Sequence, residues 1–364
     1  MDILKTPLYK QHIQKNANMV PFSGYLLPTY YSGIKKEHMN VRNNIGLFDV
    51  SHMGEFIISG NDSMQFLNYV TTNDVSTLIN GQAQYTAICN HDGGIIDDLL
   101  VYKKENEFML VVNAANRMNV FGWLRENIKG DIVIKDISDE LGLLALQGPK
   151  SRTLLQKMTN INIASLPFYH FITSEIRGYE VLISRTGYTG ELGFELFASN
   201  QNIIKLWDDL LDVGREYGLS PAGLGCRDTL RMEMRYALHG NDIDINSNPI
   251  EAGLGWITKL EKGSFIGRNA ILKSKQNLNK KLICFEMLDK AIPRNGCALI
   301  IDDKIVGKVT SGTMSPSLGK GIGIAYIKKE YAKTGNKIIV DIRGKRKKAI
   351  IVKPPFYKDG SLLN

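Results

Sequence analysis

The spacing of apolar and polar residues along the chain predicts strands and helices in alternation. Apolar residues that recur three and four positions apart predict amphipathic helices at 63–70, 117–127, 151–158 and 202–217. Short apolar runs bounded by turn residues predict strands near 51–58, 85–89, 95–102, 108–113, 141–146, 174–176 and 180–184. This alternation indicates an α+β or α/β fold.

The pattern changes near residue 275. Residues 273–281 are polar and rich in lysine, and we interpret them as a linker. Short apolar runs follow at 282–286, 298–301 and 338–342, separated by glycine-rich turns, and little helical periodicity remains. The sequence therefore predicts a small β-barrel or β-roll at the C-terminal end.

Length and charge add to this picture. A chain of 364 residues, 43% of them apolar, is longer than one ordinary domain, so we expect two or three domains. The net charge of +8 comes from residues 276–364, which contain 18 Lys and Arg against 7 Asp and Glu. This excess favours a nucleic acid, an acidic protein or a polyanionic ligand as partner, and a solvated basic surface is the alternative.

Several classes of protein are disfavoured. No apolar run approaches the roughly 18 residues of a membrane span, and the N-terminus has no signal-like apolar core. The four cysteines form no C-x-x-C pair, and the six histidines show no metal-ligand spacing. We therefore expect a cytoplasmic protein without a metal site.

One glutamate is the first candidate for a site. Glu195 lies between Phe194 and Leu196 in a predicted buried strand, and three glycines precede it within 187–193. Burial of an unpaired carboxylate is costly, so we expect a cationic or donor-rich partner. The glycines allow close approach of a backbone or a ligand. A binding site is one interpretation, and a strand-edge glutamate with its carboxylate in water is the other.

An aspartate pair is the second candidate. Side chains alternate along a strand, so Asp97 shares a face with Leu99 and Asp98 shares one with Leu100. Both faces are apolar, which predicts a strand covered on both sides. A carboxylate at the edge of an apolar pocket suits acid–base or cation-stabilising chemistry. The alternative is that both aspartates cap the preceding turn.

A row of arginines is the third candidate. A helix over 221–235 would align Arg227, Arg231 and Arg235 at every fourth position. Such a row can bind carboxylates through bidentate pairs, or it can be a solvated helix face. The glycines at 223 and 225 do not form a dinucleotide fingerprint, and no phosphate-binding loop occurs.

Taken together and in order, these segments resemble the aminomethyltransferase (T protein) family of the glycine cleavage system. The resemblance extends over nearly the whole chain. The matching segments are 6–9, 46–53, 93–98, 185–195, 223–231, 240–243, 249–256, 265–268 and 310–312. Each is short, and it is their number and shared order that make the resemblance specific.

The resemblance implies an α+β fold of three domains arranged as a cloverleaf around a central folate pocket. Two interleaved α+β domains are expected, one from 1–50 with 145–226 and the other from 51–144 with 227–275. A C-terminal β-barrel or roll domain is expected over 276–364. This last boundary agrees with the change of pattern near residue 275.

The resemblance also implies a reaction and its participants. The methylene of an aminomethyl group on the lipoyl arm of H protein passes to tetrahydrofolate, which gives 5,10-methylenetetrahydrofolate, ammonia and the dihydrolipoyl arm. Tetrahydrofolate is therefore the expected one-carbon acceptor. The expected partners are lipoylated H protein and the P and L components, with no metal, nucleic acid or membrane.

Site residues follow from the same resemblance. Asp98 is expected to be catalytic, to orient the folate nitrogens and to stabilise positive charge as ammonia leaves. Glu195 is expected to bind the N–H and amino groups of the pterin in a bidentate pair. The other expected folate-contacting residues are Arg227, Tyr188, Tyr85, Asn113, Met53 and Trp256.

The sequence is also compatible with other functions. A folate-dependent demethylase of the same fold would use a similar site. A related non-catalytic folate-binding protein, linked to RNA modification, carries a K-G-C-Y-x-G-Q-E motif, but residues 262–268 here read KGSFIGR and lack its cysteine. A nucleic-acid binder that depends on the basic C-terminal part is the remaining alternative.

Overall fold

The computed structural model describes residues 3–363, and within them the strands form three open sheets and one closed barrel. The helices are α1 (Tyr9–Gln14), α2 (Ile34–Asn43), α3 (Ser63–Val70), α4 (Arg117–Glu126), α5 (Ser151–Gln156), α6 (Asn200–Val213), α7 (Leu224–Met234) and α8 (Arg268–Gln276). The strands are β1 (Asn18–Phe22), β2 (Tyr25–Tyr30), β3 (Ile45–Asp49), β4 (Gly54–Ser59), β5 (Gln82–Cys89), β6 (Ile95–Lys103), β7 (Phe108–Val112), β8 (Val133–Asp136), β9 (Leu141–Gln147), β10 (Phe171–Ile176), β11 (Tyr179–Ser184), β12 (Gly193–Ser199), β13 (Leu219–Pro221), β14 (Lys280–Met287), β15 (Ala298–Ile301), β16 (Lys304–Ser315), β17 (Lys320–Lys328), β18 (Lys337–Ile342) and β19 (Lys345–Val352). No helix within 3–363 combines the length and apolar composition needed to span a membrane.

The first large sheet has six strands in the order β10-β11-β12-β9-β3-β13. Helix α6 packs on one face of it through side chains that are all fully buried: Ile203, Leu206, Trp207 and Leu210. Their spacing is the amphipathic pattern that the sequence displays. The Ser199 hydroxyl caps the helix start, and Gly218, with φ 76°, lies just beyond the short 3₁₀ turn that follows the helix.

The second large sheet has five strands in the order β5-β6-β7-β4-β8. Side chains of α3 and α4 complete a buried core on one of its faces, including Leu67 and Leu124. The turn between β5 and β6 is capped by Asn90, whose side-chain oxygen accepts the N–H groups of Asp92 and Gly94. The aspartates of β6 therefore do not cap this turn.

The two large sheets face each other across a shared core. Phe48, Ala145 and Phe197 of the first sheet pack with Tyr102 and Val111 of the second. Each sheet thus has one face covered by helices and the other directed toward its counterpart. Strand β6 is covered on both sides, as its apolar faces predict, whereas the edge strands β8 and β10 are partly exposed.

The C-terminal strands form a closed barrel in the order β14-β17-β16-β15-β18-β19, and pairing of β14 with β19 completes the closure. The α+β class and the C-terminal barrel are therefore confirmed. The division into three domains stays a prediction. Strand β9 lies wholly in the first sheet, so the boundary expected between 144 and 145 would cross it.

Two local predictions are wrong. The expected linker at 273–281 is instead the end of α8 and the start of β14, because Lys273 and Lys275 lie in the last helical turn, where cations favour the helix dipole. The sequence of segment 310–316, TSGTMSP, predicts a turn-forming loop, but residues 310–315 belong to β16. The hydroxyls of Thr310 and Ser311 are satisfied there by hydrogen bonds with Asp242 and Arg231.

A buried ion network joins distant parts of the chain. The Arg42 guanidinium on α2 donates to Glu191 Oε1 and to Glu233 Oε2, each at 2.7 Å. Ser315 of the barrel donates to Glu233 Oε1 at 2.5 Å. His38 lies 3.2 Å from Glu233 Oε2. The network therefore connects segments that flank strands of the first large sheet to the barrel.

The segment after the barrel enters the same network. Ser361 donates its N–H and hydroxyl to Glu191 Oε2, at 2.8 and 2.5 Å. The ring of Tyr357 lies 4.1 Å from the centre of the Arg42 guanidinium. A Cβ on Gly360 would approach the carbonyl oxygen of Gly190 to 2.3 Å, so only glycine permits this contact.

We predict that Glu233→Gln lowers the free energy of unfolding by about 3 kcal/mol at neutral pH, because it breaks a buried ion pair. Burial alone would raise the pKa of Glu233, but His38 and Arg42 lower it from its ordinary value of 4.5 to about 2. The carboxylate's contribution is therefore complete above 4.5 and is lost as pH falls toward 2. Denaturant unfolding at several pH values measures both effects.

The matched control is Glu286→Gln, which removes a solvent-exposed pair with Lys320 on the barrel. This change should cost less than about 1 kcal/mol. Equal losses in the two variants, or a Glu233→Gln loss that does not shrink in acid, would contradict the assigned role of the network.

Candidate functional site

The candidate site lies between the facing sides of the two large sheets. On β12, Phe194 and Leu196 point into the core beneath α6, so Glu195 points the other way, with Phe197. On β6, Leu99 points into the core beneath α3 and α4, so Asp98 points toward the first sheet. Strand alternation thus places these two carboxylates on opposed surfaces.

Asp98 is held by two hydrogen bonds. Tyr85 of the neighbouring strand donates its hydroxyl to Oδ2 at 2.7 Å, and the Asn113 side-chain amide donates to Oδ1 at 2.9 Å. Burial raises the pKa of Asp98, while Tyr85, the charge of His239 and Asn113 oppose the rise. The carboxyl is therefore poised to exchange a proton nearer neutrality than an exposed aspartate.

Asp97 is enclosed on the opposite face of β6 and is fully buried. It accepts the Asn113 backbone N–H at 3.1 Å and the Asn113 side-chain amide at 2.8 Å. Burial and the charge of Asp98 raise its pKa well above the ordinary value. Asn113 thus bridges both carboxyl groups.

Glu195 occupies an interior strand, since β12 pairs with β11 and with β9 at this position. A strand-edge glutamate is therefore excluded. Thr186, itself buried, donates its hydroxyl to Glu195 Oε2 in a short hydrogen bond. Burial raises the pKa of Glu195, and Thr186 and the charge of Arg227 oppose the rise.

Arg227 and Tyr188 form the next wall of the site. The Arg227 guanidinium lies 4.3 Å from the centre of the Tyr188 ring, a cation–π contact. Tyr188 stacks on Tyr236 at 5.6 Å and donates its hydroxyl to the carbonyl of Ala237. The guanidinium is part-buried and remains available beside Glu195.

The remaining expected residues lie toward the edges of the site. Trp256 is 62% exposed, and its ring centre is 5.9 Å from that of Tyr85. Met53 is part-buried and packs against the shared core between the sheets. The structure therefore brings Asp98, Asn113 and Tyr85 together, with Trp256 at the rim beside Tyr85.

Sequence reasoning missed Tyr169, which lies between the two sheets. Its carbonyl accepts the N–H of Ala83 from the second sheet, and its own N–H is donated to Arg185 beside the first. Burial raises its pKa, and the charges of Tyr236, Glu195 and Asp98 raise it further. Its φ is 60°, an uncommon backbone conformation for tyrosine that no local sequence signal announces.

The arginine row is not a single functional face. Arg231 is 2% exposed and donates to Asp228, Asp242 and Ser311, so it is a structural residue. Arg235 lies beyond the end of α7, with φ 61°. Arg227 alone borders the site. Within residues 3–363 no cluster of three or more His, Cys, Asp or Glu is arranged to hold a metal ion.

Comparison with known families covers nearly the whole chain. Residues 8–262 match the GCVT N-terminal domain, and residues 280–358 match the glycine cleavage T-protein C-terminal barrel domain. The second match coincides with the closed barrel.

Curated relatives match this chain over nearly its whole length and over nearly the whole of their own. A protein of Chloroherpeton thalassium named aminomethyltransferase is 47% identical over 96% of this chain and 98% of its own length. One of Bacteroides fragilis with the same name is 48% identical over 97% of this chain and 99% of its own. The solved structure of glycine cleavage system aminomethyltransferase T from Bartonella henselae is 30% identical and superposes with a TM-score of 0.93 over 99% of both chains.

We predict that Tyr85→Phe raises the pKa of Asp98, because the change removes a donor that stabilises the charged carboxylate. Carboxyl ¹³C NMR titration measures the shift, and the missing resonance in Asp98→Asn identifies the signal. Tyr30→Phe, at an exposed position on β2, is the control. An Asp98 pKa that is unchanged or lower in Tyr85→Phe would contradict this role of the hydroxyl.

Proposed function

The chain belongs to the aminomethyltransferase (T protein) family of the glycine cleavage system, and from this premise we propose its reaction in detail. It transfers the methylene of an aminomethyl group on a lipoyl arm to tetrahydrofolate. The products are 5,10-methylenetetrahydrofolate, ammonia and the dihydrolipoyl arm. The protein that carries the arm is lipoylated H protein, which works with the P and L components in the cytoplasm.

The observation that carries the proposal is the pair of opposed carboxyl groups between the sheets. Glu195 has one short hydrogen bond on Oε2 from Thr186, and Arg227 is nearby. A carboxylate can accept further donors, so Glu195 fits the adjacent N–H and amino groups of a pterin. Tyr85, beside Asp98, and Tyr188, beneath Arg227, supply aromatic surface for the folate rings.

Asp98 is the proposed catalytic residue. Its hydrogen bonds to Tyr85 and Asn113 fix the orientation of the carboxyl group before substrate binds. A carboxylate fixed in this way can orient the folate nitrogens and stabilise the positive charge that develops as ammonia leaves. Asp97, on the opposite face of β6, is linked to Asp98 through Asn113, which binds both groups.

Arg227 is proposed to meet the folate's own carboxylate or to balance the charge of Glu195. Asn113, Met53 and Trp256 are proposed as pocket residues, with Trp256 at the rim. The basic C-terminal part is proposed to attract an acidic lipoyl carrier or a polyglutamyl folate tail. When tetrahydrofolate is bound, it supplies the two nitrogens that receive the methylene.

The direct test is ammonia release that requires both tetrahydrofolate and lipoylated H protein carrying the aminomethyl group. Omission of either component is the control. A demethylase would act on a small methylated compound without H protein. Turnover that is independent of H protein, or absent with all components present, would overturn the proposal.

We predict that Asp98→Asn lowers kcat by about 10²–10⁴-fold while tetrahydrofolate still binds, because the amide keeps the shape of the carboxyl but cannot carry its charge. Steady-state assays and calorimetry measure the two quantities. Asp92→Asn, on the exposed turn before β6, is the control. Retained activity in Asp98→Asn would rule out the catalytic assignment.

We predict that Glu195→Ala weakens tetrahydrofolate binding by about 10–100-fold, since it removes charge-assisted hydrogen bonds to the pterin. Calorimetry measures the dissociation constant. Glu180→Ala, an exposed change on the adjacent strand β11, should leave it unaltered. Equal affinity in Glu195→Ala and the unaltered protein would refute the binding role.

A further inference from the structure

The turn that follows β7 folds back onto the first residues of β6 and carries two asparagine side chains. In the antiparallel pairing of β6 and β7, Leu100 lies opposite Val111. Continued by two residues, this register places Asn113 beside Asp98. Asn116 ends the 3₁₀ turn, and its N–H is donated to the Asn113 carbonyl at 2.9 Å. The turn is therefore closed, and both side-chain amides are held against β6.

Asp97, the residue before the proposed catalytic aspartate, uses both of its oxygens on this turn. Oδ2 accepts the backbone N–H of Asn113 at 3.1 Å, and Oδ1 accepts its side-chain amide at 2.8 Å. Asn116 donates its amide to the carbonyl of Ile96 at 2.5 Å, which fixes the peptide that leads into Asp97. Because Asp97 is fully buried, any effect it has on the reaction passes through its neighbours.

The Asn113 side chain extends this contact to Asp98. Its nitrogen lies 2.9 Å from both the carbonyl oxygen and Oδ1 of Asp98, in addition to its bond with Asp97. All three neighbours of this nitrogen are acceptors, and the opposite orientation of the amide would place its carbonyl oxygen against two carboxyl groups. An amide nitrogen carries two N–H groups, so three acceptors share two donors. The bond to Asp97 therefore determines both the orientation of the amide and the donation that remains for Asp98.

The surroundings of Asp97 suit this connecting role better than a role in the preceding turn. Burial and then the charge of Asp98 raise the pKa of Asp97, while hydrogen bonds from Asn113 and Asn116 oppose the rise. A buried carboxyl group is tolerated only where donors meet it, and the two asparagines supply them. The turn before β6 is already capped by Asn90, so Asp97 is not needed there.

We propose that Asp97 is a positioning residue, which acts through the Asn113 amide to fix the orientation of the Asp98 carboxyl group. Asn113 donates to one oxygen of Asp98, and the Tyr85 hydroxyl donates to the other. Without Asp97 the amide is free to turn, and one of these two hydrogen bonds is weakened. Misplacement of a reacting group by about 1 Å can lower a rate by about 10²-fold. The inference rests on the proposed function, because its consequence is measured on the reaction of Asp98.

The first test does not require turnover. In Asp97→Asn an amide presents one acceptor and one donor where the carboxylate presents two acceptors, so one N–H of Asn113 faces another N–H. The ¹⁵N–¹H signals of the Asn113 side chain, identified by their absence in Asn113→Ala, should shift and should exchange with water faster. Unchanged Asn113 signals in Asp97→Asn would overturn the proposal.

The matched control is Asp49→Asn. Asp49 is also buried, and its carboxyl group is hydrogen-bonded to His12, but it lies on β3 of the first sheet. The change therefore also removes a buried, hydrogen-bonded carboxyl group, so it reproduces a loss of stability without touching Asn113. The Asn113 signals should stay in place.

The second test is a double-mutant cycle on single-turnover rates with tetrahydrofolate and lipoylated H protein. Asp97→Asn should lower the rate by about 10–100-fold, because Asp98 is no longer held in one orientation. Since Asp97 acts through Asn113, the double variant Asp97→Asn/Asn113→Ala should be no slower than Asn113→Ala alone. Two independent roles would instead make the losses multiply. Asp49→Asn should retain the rate.

The outcomes separate this inference from the proposed function. Multiplied losses, or full activity in folded Asp97→Asn, would overturn the positioning role while the unaltered protein remains active. Inactive unaltered protein would overturn the proposed function and the positioning role with it. Far-UV circular dichroism and thermal unfolding establish that the variants are folded. Asp97→Ser, which is smaller and can still accept one N–H, serves where Asp97→Asn does not fold.

Discussion

The fold depends on one guanidinium, that of Arg42, which bridges two buried carboxylates from separate segments. Glu191 lies four residues before Glu195, and Glu233 lies six residues after Arg227 on the same helix. Removal of charges from water is costly, and only dense hydrogen bonding offsets it. Hydroxyls from the barrel and from the C-terminal segment supply that bonding. The network therefore holds the Glu195 strand and the Arg227 helix in a fixed relation.

This rigid frame explains how the site tolerates three acidic groups with raised pKa values. Asp97, Asp98 and Glu195 are all partly or wholly removed from water, and burial is the main cause of each rise. Of their few donors, Tyr85 lies within β5, Asn113 directly follows β7 and Thr186 lies two residues beyond β11. Because these donors are few, the carboxyl groups keep unused acceptor capacity for a ligand.

Much of this arrangement could be predicted from the sequence, and the failures have physical causes. Helix α3 and the faces of β6 follow from periodicity alone, and that periodicity also places Asp97 and Asp98 on opposite sides. Which side meets the other large sheet depends on contacts between strands far apart in the chain. Tyr169 joins the site through a rare backbone angle, and Arg235 leaves its row because α7 ends one residue earlier. No local sequence pattern predicts the backbone angle of Tyr169 or the end of α7 before Arg235.

The contrast between Arg227 and Arg231 shows how the same spacing yields different roles. Both lie on α7, four residues apart, and periodicity treats them alike. Arg231 donates hydrogen bonds to Asp228, Asp242 and Ser311, so its N–H groups are engaged within the fold. Arg227 rests on an aromatic ring, which stabilises its charge without occupying its donors. An arginine with donors left for a ligand is thus distinguished from a structural one by what its neighbours leave unsatisfied, which is a property of the folded chain.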